Sequence, residues 1–528
     1  MDNRSGVGSV RKGVLEMGLL IGEILEKSVQ DHADVTAVQW LKKKEVYGES
    51  YEELWKHVTL IRQGLLQKNM SGKHVALIGS SSPQWIESYL AVITGGCVAV
   101  PLDAGLPQED LIELLNRSDS EALFLSEKHS SLVEDIFASC PKLKQIWMLQ
   151  GKDEIKTANV GLLENLMESG LHADILEKSV DAQDIATIIY TSGTTGKSKG
   201  VMLTQENLAQ NVLSVVISLE PGIKVMSVLP IHHAFCLVMD WLKGFSLGAT
   251  LCINDSFMHM VRNMGIYQPD MMLMVPMMIE TLYKKLSMSD ASAPKKAVAG
   301  AVFGPNLKTI FTGGAHLDPF YIEKFEEYGV QVLEGYGMSE CSPVISTNSV
   351  ENHKTGSIGR PLSNVEVSFD NGEILVRGSS VMKGYYKMPE ETAETLRGGW
   401  LHTGDKGYLD EDGFLFINGR VKNLIILSNG ENISPEEIEN KLGLNPLVGE
   451  VIVTGRERGL TAHIYPEQAV IEASSMDEQS VQNGLQSFID TYNKQQPTYR
   501  QITGLVVRKN PFVRNATGKI VRAKVDED

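Results

Sequence analysis

The segment YTSGTTGKSKG, residues 190–200, combines residue types that can bind phosphate. It packs three glycines, five serine or threonine hydroxyls and two lysines into eleven residues, directly after the apolar run IATII. Backbone N–H groups and hydroxyls in such a loop can point at phosphate oxygens while lysine supplies positive charge. Glycine is needed where the backbone must approach a ligand closely. The segment therefore predicts a phosphate-binding loop, with a plain surface turn as the alternative.

This loop differs from the Walker A motif. That motif requires glycine five residues before its Gly-Lys pair, and threonine stands there at position 191. A helix does not follow at once either, because Val201–Leu203 read as a continuing strand and Thr204 as the N-cap of the next helix.

Composition excludes several classes of protein. The net charge of −17 over 528 residues argues against nucleic acid as the main partner, since duplex binding needs a basic surface. The five cysteines stand singly, which favours buried thiols over a disulfide framework or a zinc site. Because no apolar run of about 20 residues occurs, an integral membrane segment is not expected. The N-terminal residues lack the features of a secretory signal, so we expect a cytoplasmic protein.

Alternating strands and helices must position the loop, which indicates an α/β fold. Two α/β blocks are predicted at about 14–180 and 181–356, followed by a β-rich block at about 357–418 and an α+β unit from 420 to 528. A first helix is predicted over 14–31 and a surface loop over 287–300. The predicted strands include His74–Ile78, Cys97–Pro101, Ala122–Leu125, Ile146–Leu149, Ile185–Tyr190, Val225–Leu229, Thr250–Ile253, Met271–Val275 and Thr309–Thr312.

The loop closely resembles the signature of the adenylate-forming superfamily, which holds acyl-CoA synthetases, nonribosomal adenylation domains and luciferases. Six further motifs follow in that family's order: LPIHHAF at 229–235, TGGAHL at 312–317, EGYGMSE at 334–340, WLHTGD at 400–405, GRVKNLI at 419–425 and NATGKIVR at 515–522. The resemblance implies a large N-terminal domain, residues 1–419, of stacked α/β sheets plus a small β-barrel. It also implies a mobile small C-terminal domain, residues 420–528, with a hinge at 419–423.

The implied chemistry joins a carboxylic acid to AMP, releases pyrophosphate and transfers the acyl group to a thiol. Its cofactors are ATP and Mg²⁺, with coenzyme A as the acceptor thiol. By resemblance Thr191 and Glu340 bind the metal, Tyr336 packs against adenine and Asp405 accepts hydrogen bonds from the ribose. The nucleotide site as a whole is expected to comprise Thr191, Ser192, Gly193, Thr194, Thr195, Gly196, Lys197, Gly314, Ala315, Glu334, Gly335, Tyr336, Gly337, Ser339, Asp405, Arg420 and Lys519.

Four residues near the C-terminus match positions that act in one of the two steps. The Lys519 ammonium would stabilise charge during adenylation, and Arg420 would reach ribose or phosphate. Lys422 matches the hinge position, where a residue absorbs backbone rotation. Gly430 matches the loop that lines the thiol path.

The acyl pocket is predicted to be apolar. Relatives that activate amino acids carry an aspartate beside the LPIHHAF position, whereas His232–Phe235 here contain no carboxylate. His233 would line the pocket entrance, and Met274 belongs to a methionine-rich segment suited to an adaptable apolar pocket. These features favour a medium- or long-chain fatty acid–CoA ligase.

Other functions stay open at this stage. An aryl-CoA ligase, or an enzyme that loads an acyl carrier protein in trans, would use the same adenylate. An oxidative enzyme of the luciferase type and a non-catalytic nucleotide-binding relative are the alternatives from other classes.

Overall fold

The computed structural model describes residues 20–151, 157–171, 179–191, 198–288, 292–426, 432–456, 459–514 and 520–526. The chain divides into two compact units. The first comprises residues 1–315, 319–367 and 376–401, and the second comprises 316–318, 368–375 and 402–528.

The α-helices of the described residues are numbered in chain order. They are α1 Ile21–His32, α2 Tyr51–Gln67, α3 Pro83–Thr94, α4 Gln108–Arg117, α5 Val133–Ser139, α6 Leu163–Leu171, α7 Gln205–Ser214, α8 Gly244–Ser246, α9 Met260–Tyr267, α10 Pro276–Ser287, α11 Lys295–Phe303, α12 Pro319–Glu327, α13 Pro389–Thr395, α14 Pro435–Gly443, α15 Gln468–Ser474 and α16 Glu478–Asn493. A π-helix, Phe235–Lys243, runs directly into α8. π-helical turns are rare and occur frequently at functional sites.

The strands are numbered in the same way. They are β1 Thr36–Lys42, β2 Glu45–Ser50, β3 His74–Ile78, β4 Val98–Leu102, β5 Ala122–Leu125, β6 Gln145–Met148, β7 Val160–Leu162, β8 Ile185–Thr191, β9 Lys199–Thr204, β10 Lys224–Ser227, β11 Thr250–Ile253, β12 Met271–Met274, β13 Thr309–Thr312, β14 Gln331–Gly337, β15 Val344–Thr347, β16 Arg360–Pro361, β17 Val365–Asp370, β18 Glu373–Gly378, β19 Gly384–Tyr385, β20 Leu401–Leu409, β21 Leu415–Arg420, β22 Ile425–Ile426, β23 Asn432–Ile433, β24 Val448–Arg456, β25 Gly459–Pro466 and β26 Ile502–Val507.

Two large sheets form the first unit. One has eight strands in the order β19-β9-β8-β4-β3-β5-β6-β7, and the other has nine in the order β16-β15-β14-β13-β12-β10-β11-β1-β2. Strands β4, β3, β5 and β6 pair in parallel, and every residue of β4 and β5 is buried. Continuous apolar runs are typical of such strands, because helices cover both faces of a parallel sheet.

The β-rich block forms a four-stranded sheet in the order β17-β18-β20-β21, where the division between the units falls. This agrees with the predicted β-rich block at about 357–418, and no closed barrel occurs among the residues described. The second unit also holds a three-stranded sheet, β24-β25-β26. Its core includes Ile438, Leu460 and Leu485.

Local predictions from the sequence are largely confirmed. Thr204 caps α7, accepting a hydrogen bond from the backbone N–H of Asn207, and all five cysteines are buried and free. The predicted surface loop at 287–300 is wrong from Lys295 onward, because α11 begins there and buries Phe303. Residues 14–19 of the predicted first helix lie outside the described residues. Over the described ranges, no helix is long and apolar enough to cross a membrane.

Candidate active site

Two of the predicted motifs begin at one edge of the nine-stranded sheet. Strands β12, β13 and β14 pair in parallel, with Met274 opposite Thr312 and Thr312 opposite Glu334. TGGAHL therefore starts beside the methionine strand, and EGYGMSE starts beside TGGAHL. Ligands of open α/β sheets bind outside the carboxyl ends of the strands, and these residues lie at that edge.

Close backbone packing brings the LPIHHAF motif to the same edge. A Cβ atom added to Gly313 would lie 2.9 Å from the carbonyl oxygen of Gly335 and 3.9 Å from the ring of Phe235. Gly314 follows with φ +82°, and a Cβ there would meet no atom within 4 Å. Glycine is the residue type that adopts this backbone readily. Gly314 and its neighbour Ala315 thus border open space, as expected of residues that line a ligand.

The carboxylate of Glu340 is positioned by a buried network. Glu340 lies in the 3₁₀ turn Ser339–Cys341, which follows β14. The side-chain amide of buried Asn211 donates to the carbonyl oxygens of Cys341, at 3.2 Å, and of Val344, at 2.8 Å. The backbone N–H of Met382 donates to the Glu340 carbonyl at 2.9 Å. This turn is therefore fixed from both sides by contacts far away in sequence.

Gly337 allows β14 to pass close to the chain that follows the turn. A Cβ atom at Gly337 would lie 2.0 Å from the carbonyl oxygen of Pro343. No other residue fits this approach without a backbone shift. Gly335 and Tyr336 precede it on β14, where Tyr336 pairs with Ser346 of β15. The EGYGMSE string is thus a strand and turn in which packing requires glycine at position 337.

Glu340 also receives a hydrogen bond from a residue that the motifs did not indicate. The Tyr385 hydroxyl donates to Glu340 Oε1 at 2.7 Å. Both residues are buried, at 5% and 8% exposure. Burial, and then the nearby Glu340 charge, raise the pKa of Tyr385 well above its ordinary value. Tyr385 therefore keeps its proton and stays a donor.

Tyr385 in turn connects Glu340 to the predicted phosphate-binding loop. The Lys199 ammonium lies 4.7 Å from the centroid of the Tyr385 ring, a cation–π contact. Lys199 pairs with Thr191 across the β8–β9 hairpin, and Tyr385 pairs with Val201 on the other side of β9. The two residues predicted to bind metal, Thr191 and Glu340, are thus joined through Lys199 and Tyr385.

This arrangement fits a magnesium ion carried by a nucleotide. Mg²⁺ is usually bound by one or two carboxylates together with substrate phosphates. The Tyr385 hydroxyl engages Oε1 of Glu340, Oε2 is a second carboxylate oxygen, and Thr191 offers a hydroxyl. The roles of Thr191 and Glu340 stay predictions, and the donor set suits them.

The histidine pair of LPIHHAF differs in environment. The rings of His232 and His233 lie 4.5 Å apart, and His233 is the exposed member. Burial, and then the His233 charge, lower the pKa of His232 to about 4. The Asp103 carboxylate, whose Oδ2 lies 3.8 Å from His232 Nε2, acts in the opposite direction and raises this pKa. His232 is therefore neutral at physiological pH, and His233 is the member that can meet a ligand.

The methionine strand is wholly buried. All four residues of β12, including Met274, are inaccessible or nearly so. Beside Met274, the Thr312 hydroxyl is buried without a hydrogen-bond partner among the described residues. These strand ends are thus apolar apart from one buried hydroxyl at the carboxyl end of β13.

Further predicted residues lie in the second unit. Asp405 of β20 pairs with Arg420 of β21, and Arg420 Nε lies 3.0 Å from Asp405 Oδ1. The Asp405 carboxylate is buried, whereas 57% of the Arg420 side chain is exposed. Lys422 lies exposed in the 3₁₀ turn Val421–Asn423.

Several predicted residues lie outside the described residues. They are Ser192, Gly193, Thr194, Thr195, Gly196, Lys197, Gly430 and Lys519. Their roles stay predictions.

The structure adds three residues that sequence reasoning missed. Lys199 stands in the same glycine-rich string and could have been included on that ground. Tyr385 and Asn211 carried no local signal, because strand pairing and a buried network bring them to Glu340.

Comparison with known proteins places the chain in context. A sequence profile described as "AMP-binding enzyme" matches residues 25–386, and one described as "AMP-binding enzyme C-terminal domain" matches residues 422–528. The long-chain-fatty-acid–CoA ligase FadD15 of Mycobacterium bovis is 26% identical over 492 residues, covering 81% of each chain. A feruloyl-CoA synthase of Amycolatopsis sp is 30% identical over 425 residues, covering 77% of this chain and 80% of the relative.

A solved structure shares the fold. An O-succinylbenzoate coenzyme A synthetase (MenE) from Bacillus subtilis, in complex with ATP and magnesium ion, matches with a TM-score of 0.74 and 24% identity. The match covers 96% of this chain and 99% of the other.

Proposed function

The chain belongs to the AMP-binding enzyme family, and from that premise we propose that it activates a fatty carboxylic acid as acyl-AMP and transfers the acyl group to coenzyme A. The observation that carries the proposal is the contact series Thr191, Lys199, Tyr385 and Glu340. It joins the phosphate-binding loop to one oriented carboxylate.

In the first step a carboxylate oxygen of the acid attacks the α-phosphorus of ATP, and the bond to pyrophosphate breaks. Both reactants are anions, so positive charge at the phosphates lowers the barrier. Thr191 and Glu340 would hold Mg²⁺, which neutralises phosphate charge when bound. Tyr385 holds the Glu340 carboxylate in one orientation. Lys519 would place its ammonium on the phosphate oxygens as charge develops.

In the second step the sulfur of coenzyme A attacks the acyl carbon, and the bond to AMP breaks. AMP leaves with the electron pair of that bond, and the thiol proton passes to solvent. We place Lys422 at the hinge that permits the change between steps and Gly430 on the thiol path. The predicted hinge at 419–423 includes residue 422, where the second family profile begins.

A fatty acid is the preferred substrate on three grounds. Strand β12 supplies buried methionines beside the proposed site, and His232–Phe235 supply no carboxylate to hold an ammonium group. One relative named above is a long-chain-fatty-acid–CoA ligase. The second candidate is an aryl-CoA ligase, which the 30% identity to a feruloyl-CoA synthase favours.

A substrate panel tests the proposal. Purified protein receives ATP, Mg²⁺ and straight-chain acids from short to long, plus benzoic and cinnamic acids, and pyrophosphate is measured. The acceptor is either coenzyme A or a phosphopantetheinylated carrier protein, and the mass of the acylated product is measured by mass spectrometry. Glu340→Gln serves as the inactive control.

The outcomes separate the candidates. Highest turnover with a medium or long chain and coenzyme A supports the proposal. A cinnamic acid optimum supports the aryl alternative, and acylation of the carrier alone assigns a loading enzyme. No AMP with any acid overturns adenylation itself.

Lys519 can be tested through the separate half-reactions. Lys519→Ala should abolish pyrophosphate exchange, a loss of roughly 10²–10³-fold, because one contact to developing charge is typically worth that much. Thioester formation from supplied acyl-adenylate should survive. Lys509→Ala, an exposed lysine of the same unit, is the matched control. Equal loss of both half-reactions would refute the role.

A further inference from the structure

Three ligand-type side chains converge away from the sheet edge described above. Glu49 lies near the end of β2, His57 on α2 and Glu87 on α3. One imidazole nitrogen and one oxygen from each carboxylate all lie within 4.8 Å of one another. Across the residues described, this is the one group of three or more His, Cys, Asp or Glu side chains with ligand atoms this close.

The two carboxylates are deeply buried and only partly satisfied. Glu87 Oε1 lies 2.8 Å from His57 Nδ1, and Glu49 Oε2 lies 3.5 Å from the same nitrogen. The side chains of Glu49 and Glu87 are 8% and 4% exposed. Glu49 Oε1 is buried and has no hydrogen-bond partner among the described residues. Burying an ionised carboxylate is costly unless it is paired or coordinates a metal.

Two ionised glutamates would carry two negative charges, whereas a protonated His57 carries one positive charge. A single imidazole therefore neutralises the pair only when one glutamate keeps its proton. A divalent cation bound by a neutral imidazole and two carboxylates gives a neutral set. It would also supply the missing partner for the Glu49 carboxylate.

We propose that Glu49, His57 and Glu87 bind a divalent transition-metal ion, for which Zn²⁺ is the probe. Zn²⁺ binds imidazole nitrogen and carboxylate oxygen at about 2.0–2.2 Å in tetrahedral geometry, so neighbouring ligand atoms lie about 3.3–3.5 Å apart. The observed separations of 2.8 and 3.5 Å from Nδ1 require only small side-chain adjustments. His57 is 38% exposed, which gives the ion a path from solvent.

The bound ion would connect three separate elements. Strand β2 is the last strand of its sheet in the order given above, so it has one neighbouring strand in that sheet. Coordination would tie this edge strand to α2 and α3. Metal binding should therefore raise the thermal stability of the protein.

The test uses the full chain, treated with chelator and free of nucleotide. Zn²⁺ binding is measured by calorimetry, and metal content by mass spectrometry after dialysis against trace Zn²⁺. We expect one ion per chain and a higher melting temperature with Zn²⁺. Glu49→Gln should weaken binding at least about 100-fold, the upper end of what loss of an outer partner costs. Co²⁺ should show visible absorption that this variant lacks.

A matched control and a second variant keep the result decisive. His259→Gln removes a histidine that pairs with one aspartate at 3.0 Å on the exposed surface, and it should bind Zn²⁺ like the unchanged protein. If Glu49→Gln does not fold, His57→Gln replaces it, because His57 is partly exposed. All variants retain the five buried cysteines, so zinc held by thiols would persist in them.

Two outcomes would overturn the site. One is no Zn²⁺ or Co²⁺ binding by the unchanged protein. The other is equal binding by a folded Glu49→Gln or His57→Gln variant, which would leave the cluster as a hydrogen-bonded histidine with two acids.

Discussion

Replacing Tyr385 with phenylalanine removes one hydroxyl and leaves the ring over Lys199 in place. In the native protein that hydroxyl donates to Glu340 Oε1 at 2.7 Å. The ring contact to the Lys199 ammonium at 4.7 Å needs no hydroxyl. The hydroxyl also has a hydrogen-bond interaction with Thr395, so the variant removes that contact together with the hydrogen bond that orients the carboxylate.

The size of the effect follows from the charge and burial of the pair. A hydrogen bond to a charged group contributes about 1.5–3 kcal/mol, and each 1.4 kcal/mol corresponds to a factor of about ten. Both residues are buried, so solvent cannot replace the lost donor. We expect kcat/KM for MgATP to fall by roughly 10- to 150-fold in Tyr385→Phe.

The assay is pyrophosphate release measured over a range of Mg²⁺ concentrations with the best acid of the panel. If Tyr385 positions a metal-binding carboxylate, the variant should need more Mg²⁺ for half-maximal rate, and high Mg²⁺ should restore part of the rate. Tyr386→Phe is a matched control, because that hydroxyl donates to Asp119, also at 2.7 Å, and not to Glu340. The control should retain the native Mg²⁺ dependence.

Two results would refute this reasoning. A Tyr385→Phe enzyme within threefold of the native kcat/KM would show that the hydrogen bond does not matter for catalysis. A loss of equal size at every Mg²⁺ concentration would show that Tyr385 acts on something other than the metal. Circular dichroism and melting temperature establish that both variants are folded.

Two further predictions concern stability. Burial raises the pKa of Asp240 to about 7, so the folded protein holds that proton between about pH 4 and 7 while the unfolded chain releases it. The free energy of unfolding of the native protein should therefore fall as the pH rises from about 4 to 7. The free energy of unfolding of Asp240→Asn lacks this dependence, so between pH 4 and 8 it should rise by about 4 kcal/mol relative to that of the native protein. Melting temperatures of both proteins at several pH values check this, and a difference independent of pH would contradict it. Asn211→Ala should lower stability by about 2–4 kcal/mol, because it leaves two buried carbonyls without a donor. It should also slow pyrophosphate release by displacing Glu340, and normal activity in a destabilised variant would show that the turn keeps its shape.

The strands could be predicted because their apolar runs are continuous and end at turn residues. Strands His74–Ile78, Thr250–Ile253 and Thr309–Thr312 have the bounds that the sequence predicts. The missed helix α11 follows a stretch rich in Ser, Asp and Pro, whose composition favours a loop up to Pro294. The residue at which a helix begins is the feature that a sequence pattern predicts least reliably.

The site could be predicted only where its chemistry is contiguous in sequence. Gly314, Glu340 and Asp405 lie in short strings whose residue types suggest a ligand. Tyr385 lies 45 residues from Glu340, and Asn211 lies 130 residues from Cys341. Positioning residues of this kind carry no periodic or compositional signal, because tertiary pairing alone gives them their role.

The pairing of Asp405 with Arg420 affects how mutations there must be interpreted. Each was predicted to contact the nucleotide, and the structure shows them 3.0 Å apart on adjacent strands. Because Arg420 is mostly exposed, solvent screens the pair, which contributes no more than about 1 kcal/mol. Loss of the pair alone should therefore change nucleotide affinity by less than tenfold.

Arg420→Ala thus separates a direct ligand contact from an indirect one. If Arg420 contacts ribose or phosphate, ATP binding measured by calorimetry should weaken well beyond tenfold, while the melting temperature without nucleotide changes little. If Arg420 only pairs with Asp405 and does not contact the nucleotide, the loss in ATP affinity should stay below tenfold. In that case the loss should also vanish in an Asp405→Asn background, since the double-mutant cycle then contains no direct contribution from the arginine.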